Sequence, residues 1–234
     1  MSIKPRSRQI IHLGINFITI PAPSITHQSY LAFQQEVISS GLDFLRAENP
    51  QNQIILTREA PSPIRIAVSM LESQVGQVLI VAPNPKEALE LFIQEVEAAL
   101  GAFETVWPAQ NRQIIKSDGT IRELHETTGK HAFQELWEKR LGQPSQPLKT
   151  FERPIRGGGL RFVMDPLQDE EDPVQIEVKI ESFLRDTTKI FVETQFTWLR
   201  PTAPGSSFDA RERLFRMNSY IEHQVQAFLR GDVK

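Results

Sequence analysis

Arg153, Arg156 and Arg161 surround Gly157, Gly158 and Gly159 in the segment Arg-Pro-Ile-Arg-Gly-Gly-Gly-Leu-Arg. Glycines let backbone amides approach an anion closely, and guanidinium groups grip phosphate or carboxylate with paired N–H donors. These six residues are the candidate ligand-binding set, for an anionic small molecule. The same letters also suit a bulged or flexible entry to a strand, with the arginines solvated. Downstream, Asp165, Asp169, Glu170, Glu171 and Asp172 form an acidic stretch. It lacks the alternating ligands, central glycine and closing glutamate of an EF-hand, and reads as a solvated hairpin loop that pairs electrostatically with the arginines.

Other chemistry-bearing residues fit no catalytic pattern. Thr127-Thr128-Gly129-Lys130 has Leu124 where a P-loop needs glycine and His131 where it needs serine or threonine, so a threonine cap on a following helix explains it. His125 and His131 are too far apart to share a helical face, which argues against zinc, and His12, His27 and His223 are isolated. Gly205-Ser206-Ser207 lacks the frame of a nucleophile elbow. No catalytic residue, metal or cofactor is expected. Lys4, Arg6 and Arg8 form a basic arm, and Arg211, Arg213 and Arg216 gather where a helix is expected to start. Cations there oppose the helix macrodipole, which calls for acidic or anionic partners.

The chain of 234 residues has a formal net charge of -3, which argues against nucleic acid as a partner. Without cysteine it holds no disulfide, thiolate or cysteine-bound metal, and suits a reducing compartment. The stretch after the basic start is interrupted by His12, Gly14 and Asn16, so no signal peptide is expected, nor any membrane span. A cytoplasmic protein is the expectation.

The elements that position these residues are read from periodicity. Alternation predicts strands over 12–20, 53–57, 64–71 and 77–82, then 160–164, 174–183 and 189–199, each later group of three forming a meander. Residues 112–121 read as a strand, or as a hairpin around Asp118-Gly119. Helical spacing predicts helices over 26–45, with Ser24 or Thr26 as cap, over 128–141, and over 209–229, with Asp209 and Glu212 as its capping box. Another is expected to start at Asn84 as N-cap, with Pro85 and Glu87 completing the signal, to bury Leu89, Phe92, Val96, Leu100 and Phe103, and to end near Gly101.

The segment Pro63-Ile-Arg-Ile-Ala-Val-Ser-Met70 returns as Pro173-Val-Gln-Ile-Glu-Val-Lys-Ile180, and the order of elements around it returns too. The expected fold is α+β: an internal duplication of a βαβββα unit, with antiparallel sheet and helices on one face. Residues 1–107 form the first half and 108–234 the second, either as two domains or merged under pseudo-twofold symmetry. The expected function is a non-catalytic binding or assembly module, with a homodimer as the expected assembly, using edge strands that start after Pro63 or Pro173 and an outer face carrying Ala67 and Leu71. An anionic small molecule held by 153–161 is the alternative, with nucleic-acid binding behind it.

Overall fold

The computed structural model describes residues 8–72, 74–86 and 88–231. Lys4 and Arg6 of the basic arm, and Glu87 of the expected helix start, lie outside the described residues. Among the described residues, nine antiparallel strands form one sheet in the order β2-β3-β4-β5-β1-β6-β9-β8-β7. The strands are β1 (Arg8–Ile20), β2 (Arg46–Glu48), β3 (Gln53–Arg58), β4 (Ile64–Glu72), β5 (Val75–Pro83), β6 (Gln113–Glu126), β7 (Gly159–Met164), β8 (Val174–Ser182) and β9 (Lys189–Trp198). The α-helices are α1 (His27–Ser39), α2 (Leu89–Val106), α3 (Ala132–Gln134), α4 (Ala210–Tyr220) and α5 (Gln226–Arg230). Glu135–Arg140 and Ile221–Val225 are π-helical. Both expected meanders are present.

Alternation places Leu13, Ile15 and Phe17 of β1 on the face that meets the helices. There Phe17 packs between Phe103 of α2, at 5.9 Å, and Phe208 just before α4, at 4.7 Å. One continuous core joins these to Phe33 of α1, Leu136 and Leu229. The opposite sheet face carries side-chain ladders. Gln77 donates to Asn16 at 2.8 Å, and Asn16 and Thr197 donate to Asp118 at 3.2 and 2.9 Å.

Several expectations are corrected. Of the two readings of 112–121 the strand holds and the hairpin does not, because β6 runs straight through Asp118-Gly119. A Cβ on Gly119 would lie 2.2 Å from Sδ of Met217, so this glycine admits α4 to the sheet. Asn84 is no helix cap: its φ is +50° and its amide donates to the Ile11 carbonyl at 2.8 Å, ending β5 against β1. α2 therefore starts at Leu89, but it buries the expected stripe and continues past Gly101. α1 stops at Ser39, before Gly41 at φ +84°, and leaves Leu31, Ile38 and Leu45 exposed. Thr26 caps it as expected, in a reciprocal box with Ser29. The helix expected over 128–141 is mostly π-helical and is capped by His131, which accepts from the Phe133 amide at 3.2 Å, and not by either threonine.

β4 and β8, which follow Pro63 and Pro173, are interior strands, so the sheet edges are β2 and β7 instead. Ala67 on the open face is 3% exposed, flanked across the sheet by Ile55 and Leu79, whereas Leu71 is exposed as expected. No helix among the described residues is long and apolar enough to cross a membrane.

Candidate functional site

The two edges differ chemically. β2 is three residues long, and its exposed Arg46 and Glu48 form an ion pair at 3.5 Å. Short, charged edges resist further pairing. β7 is twice that length, reads Gly-Leu-Arg-Phe-Val-Met and carries one charge. Its Phe162 and Val163 are exposed, as is Leu167 just beyond.

The glycines bring β7 tightly against β8. A Cβ on Gly157 would lie 2.5 Å from the Ser182 hydroxyl, one on Gly158 2.7 Å from the Phe133 ring, and one on Gly159 2.4 Å from the Ile180 carbonyl. The Gly158 amide donates to Oγ of Ser182 at 2.9 Å, and the Ser182 amide to the Gly158 carbonyl at 3.0 Å. In an antiparallel ladder, alternate residues turn their amides to the same neighbour. With Gly158 facing Ser182, residues Leu160, Phe162 and Met164 address β8, whereas Gly159, Arg161 and Val163 turn theirs to the free edge.

On the helix side, a groove of about 180 Å³ opens between this edge and the final helix. Phe162, Met164, Val178, Ile180, Tyr220 and Phe228 line it. Phe162 meets Phe228 edge-on at 5.5 Å, and Oη of Tyr220 donates to Sδ of Met164 at 3.2 Å. Burial raises the Tyr220 pKa.

The arginines of the candidate set are not gathered on one point by any contact they make. Arg161 gives two donors to Glu177, both at 2.8 Å, and this bidentate bond holds the Glu177 carboxyl below the usual range. Arg156 donates to the Leu184 carbonyl at 3.3 Å, and exposed Arg153 has no ion-pair partner among the described residues. Nor does the acidic loop pair with this segment. Glu170 bonds Arg216 instead and accepts from the Val174 amide at 3.2 Å, and Asp172 lies 3.7 Å from Arg216 and 3.9 Å from Arg213.

Those helix-start cations thus have the acidic partners their position called for. Arg211 bonds Glu97 of α2, and Arg213 stacks over Trp198 at 4.5 Å while donating to Ser117 at 2.7 Å. Among the described residues, no group of three or more His, Asp or Glu side chains is arranged to hold a metal ion.

Sequence reasoning missed a cluster inside the second half. Glu123 and His125 are both completely buried, with Oε2 of Glu123 3.1 Å from Nε2 of His125. The other Glu123 oxygen accepts from Nε of Arg8, which also donates to Asn218 at 2.8 Å. Nδ1 of His125 and Oγ1 of Thr194 are buried without a partner among the described residues. Enclosed from solvent, this carboxyl–imidazole pair ties β6, β1 and α4 together and offers no approach to a dissolved substrate. The available signal was alternation: 121, 123 and 125 share a strand face, so two polar residues continue the row of Ile121. No protein-family model matches this chain, and no curated protein matches its sequence.

Proposed function

We propose that the protein is a non-catalytic assembly module whose β7 edge accepts a further polypeptide strand. The observation that carries this reading is the contrast between a short, charged β2 and a longer, nearly uncharged β7 with outward amides at Gly159, Arg161 and Val163. Strand addition gains affinity from backbone hydrogen bonds and selectivity from side-chain pockets beside the edge, a role the groove at Phe162 and Phe228 suits.

The reading includes the duplication. β1, α1, β3, β4, β5 and α2 correspond in order to β6, α3, β7, β8, β9 and α4, and the strands are placed alike outward from the adjacent pair β1 and β6. The halves, 1–107 and 108–234, differ most where the edge is proposed to work. Ile54 and Leu56 of β3 are fully buried, whereas Phe162 of β7 remains 37% exposed, and the helical run of α3 with its π-helical continuation, 132–140, is shorter than α1.

The test is a panel of extended peptides with alternating apolar residues, including residues 159–165 of this chain, read by amide hydrogen exchange. Binding is expected to protect the amides of Arg161 and Val163, and Val163→Pro, which removes one outward donor, is expected to abolish it while the far-ultraviolet spectrum stays unchanged. Failure of every peptide to bind, or protection confined to another strand, would refute the proposal. Val163→Lys, which charges the edge and leaves the backbone donor, gives the same readout should the proline variant fail to fold.

A further inference from the structure

Resting on that reading of the edge, we infer that the added strand is β7 of a second copy, running antiparallel with the two Phe162 residues opposite one another about a twofold axis. Charge distribution favours this occupant. Arg153 and Arg156, both exposed, precede β7, and the exposed Asp165, Asp169 and Glu171 follow it. Neither arginine, nor any of these three acids, has an ion-pair partner among the described residues. An antiparallel second copy brings the basic approach of each strand beside the acidic exit of the other. A parallel partner would place like charges together.

The register follows from the outward amides. Hydrogen-bonded pairs across the new junction must join residues drawn from Gly159, Arg161 and Val163. Centring the axis on Arg161 sets two guanidinium groups directly opposite, which destabilises a strand pair. Centring it on Val163 leaves much of β7 unpaired. With the axis at Phe162, Arg161 exchanges hydrogen bonds with the partner's Val163, and Leu160 faces the partner's Met164. The two aromatic rings meet on the groove side, where Phe162 already touches Phe228. Such a contact is isologous and closes on itself, so it yields a dimer and no fibre.

The chain has no cysteine, which makes disulfide trapping clean. Residues opposed in a non-hydrogen-bonded pair have Cα atoms about 4.5 Å apart, within disulfide range, whereas diagonal positions are about 7–8 Å apart. Phe162→Cys is therefore expected to form a covalent dimer on mild oxidation and Val163→Cys alone is not. A mixture of Arg161→Cys and Val163→Cys chains is expected to cross-link between the two. Because Phe162→Cys also removes an aromatic contact, native mass spectrometry of the unaltered protein supplies a second readout. It should show a concentration-dependent dimer that Val163→Lys weakens by at least about tenfold and that added salt weakens further. An unaltered chain that stays monomeric at its highest soluble concentration overturns the self-pairing. Peptide protection of Arg161 and Val163 would still stand in that case, which separates this failure from failure of the edge reading. Equal cross-linking at 161, 162 and 163, or a dimer indifferent to Val163→Lys, also overturns it.

Discussion

Replacing Glu123 by alanine removes the group on which Arg8 and His125 converge. Arg8 keeps its bonds to Asn218 at 2.8 Å and to Glu222 at 3.4 Å, and its side chain is 21% exposed, so part of its cost is met by water. His125 has no such relief: it is fully buried, its Nδ1 has no partner among the described residues, and the substitution strips Nε2 as well. Breaking one side of a buried charged network costs about 3–5 kcal/mol, and the exposure of Arg8 argues for the lower end, about 3 kcal/mol. For a protein of this size, roughly 2–4 °C of Tm accompanies each kcal/mol, so the melting temperature should fall by about 6–12 °C. Guanidinium unfolding followed by circular dichroism gives the free energy directly, provided the denaturant slope is unchanged. The triple variant Arg8→Met, Glu123→Leu, His125→Phe replaces the whole network with apolar groups and should recover most of the loss, since the penalty lies in stranded polar groups. A loss below about 1 kcal/mol in Glu123→Ala would refute the enclosure of the cluster. A triple variant no more stable than the single one would refute its attribution to unpaired groups.

Two further outcomes follow from the packing and charge of the sheet. Gly119→Ala should cost about 1–3 kcal/mol of unfolding free energy by driving a methyl group into Met217, and the same substitution should cost less in a Met217→Ala background, where the clash is gone; an unchanged melting curve would show that α4 stands further off. The His12 pKa is lowered, first by burial and then by Arg122, against an opposing pull from Glu193. The fold thus favours the neutral ring. That contribution is fully present above the unfolded value of about 6.5 and is lost as the pH falls through the lowered one. His12→Gln should flatten this part of the stability profile, and parallel profiles for both proteins would exclude the ring as the cause.

Legibility in the sequence tracked how locally each feature is determined. Alternation in 174–183 and the stripe from Leu89 to Phe103 each bury one face, so β8 and α2 could be read directly. Thr26 and Asp209 cap their helices as their positions suggested, with Asp209 accepting from the Glu212 amide at 2.8 Å. The failures lie where a distant residue decides. Asp118-Gly119 has turn chemistry, yet the space over Gly119 is filled by a helix that follows almost a hundred positions later. Asn84-Pro85 has capping chemistry, yet the Ile11 carbonyl captures the Asn84 amide. Gly157, Gly158 and Gly159, which lead into and open β7, were legible as a place of close approach. What approaches is the Ser182 hydroxyl, the Phe133 ring and the Ile180 carbonyl of the same chain, and none of these adjoins the segment in sequence. Which strands end as edges depends on the pairing order of the whole sheet, and no local pattern encodes it.

The middle of the sheet is closed by the junction of β1 with β6, and this sets an order of events during synthesis. β1 can pair with β5 early, but its other side stays open until residues 113–126 have been made. Arg8 must wait longer, for Glu123 at a separation of 115 residues and for Asn218 at 210. Contacts so distant along the chain are slow to form, and an unpaired strand is a site for wrong association in the meantime. The newborn first half therefore carries a temporary open edge at its own centre. Chaperone dependence and aggregation during expression should be governed by how quickly β6 arrives to cover it.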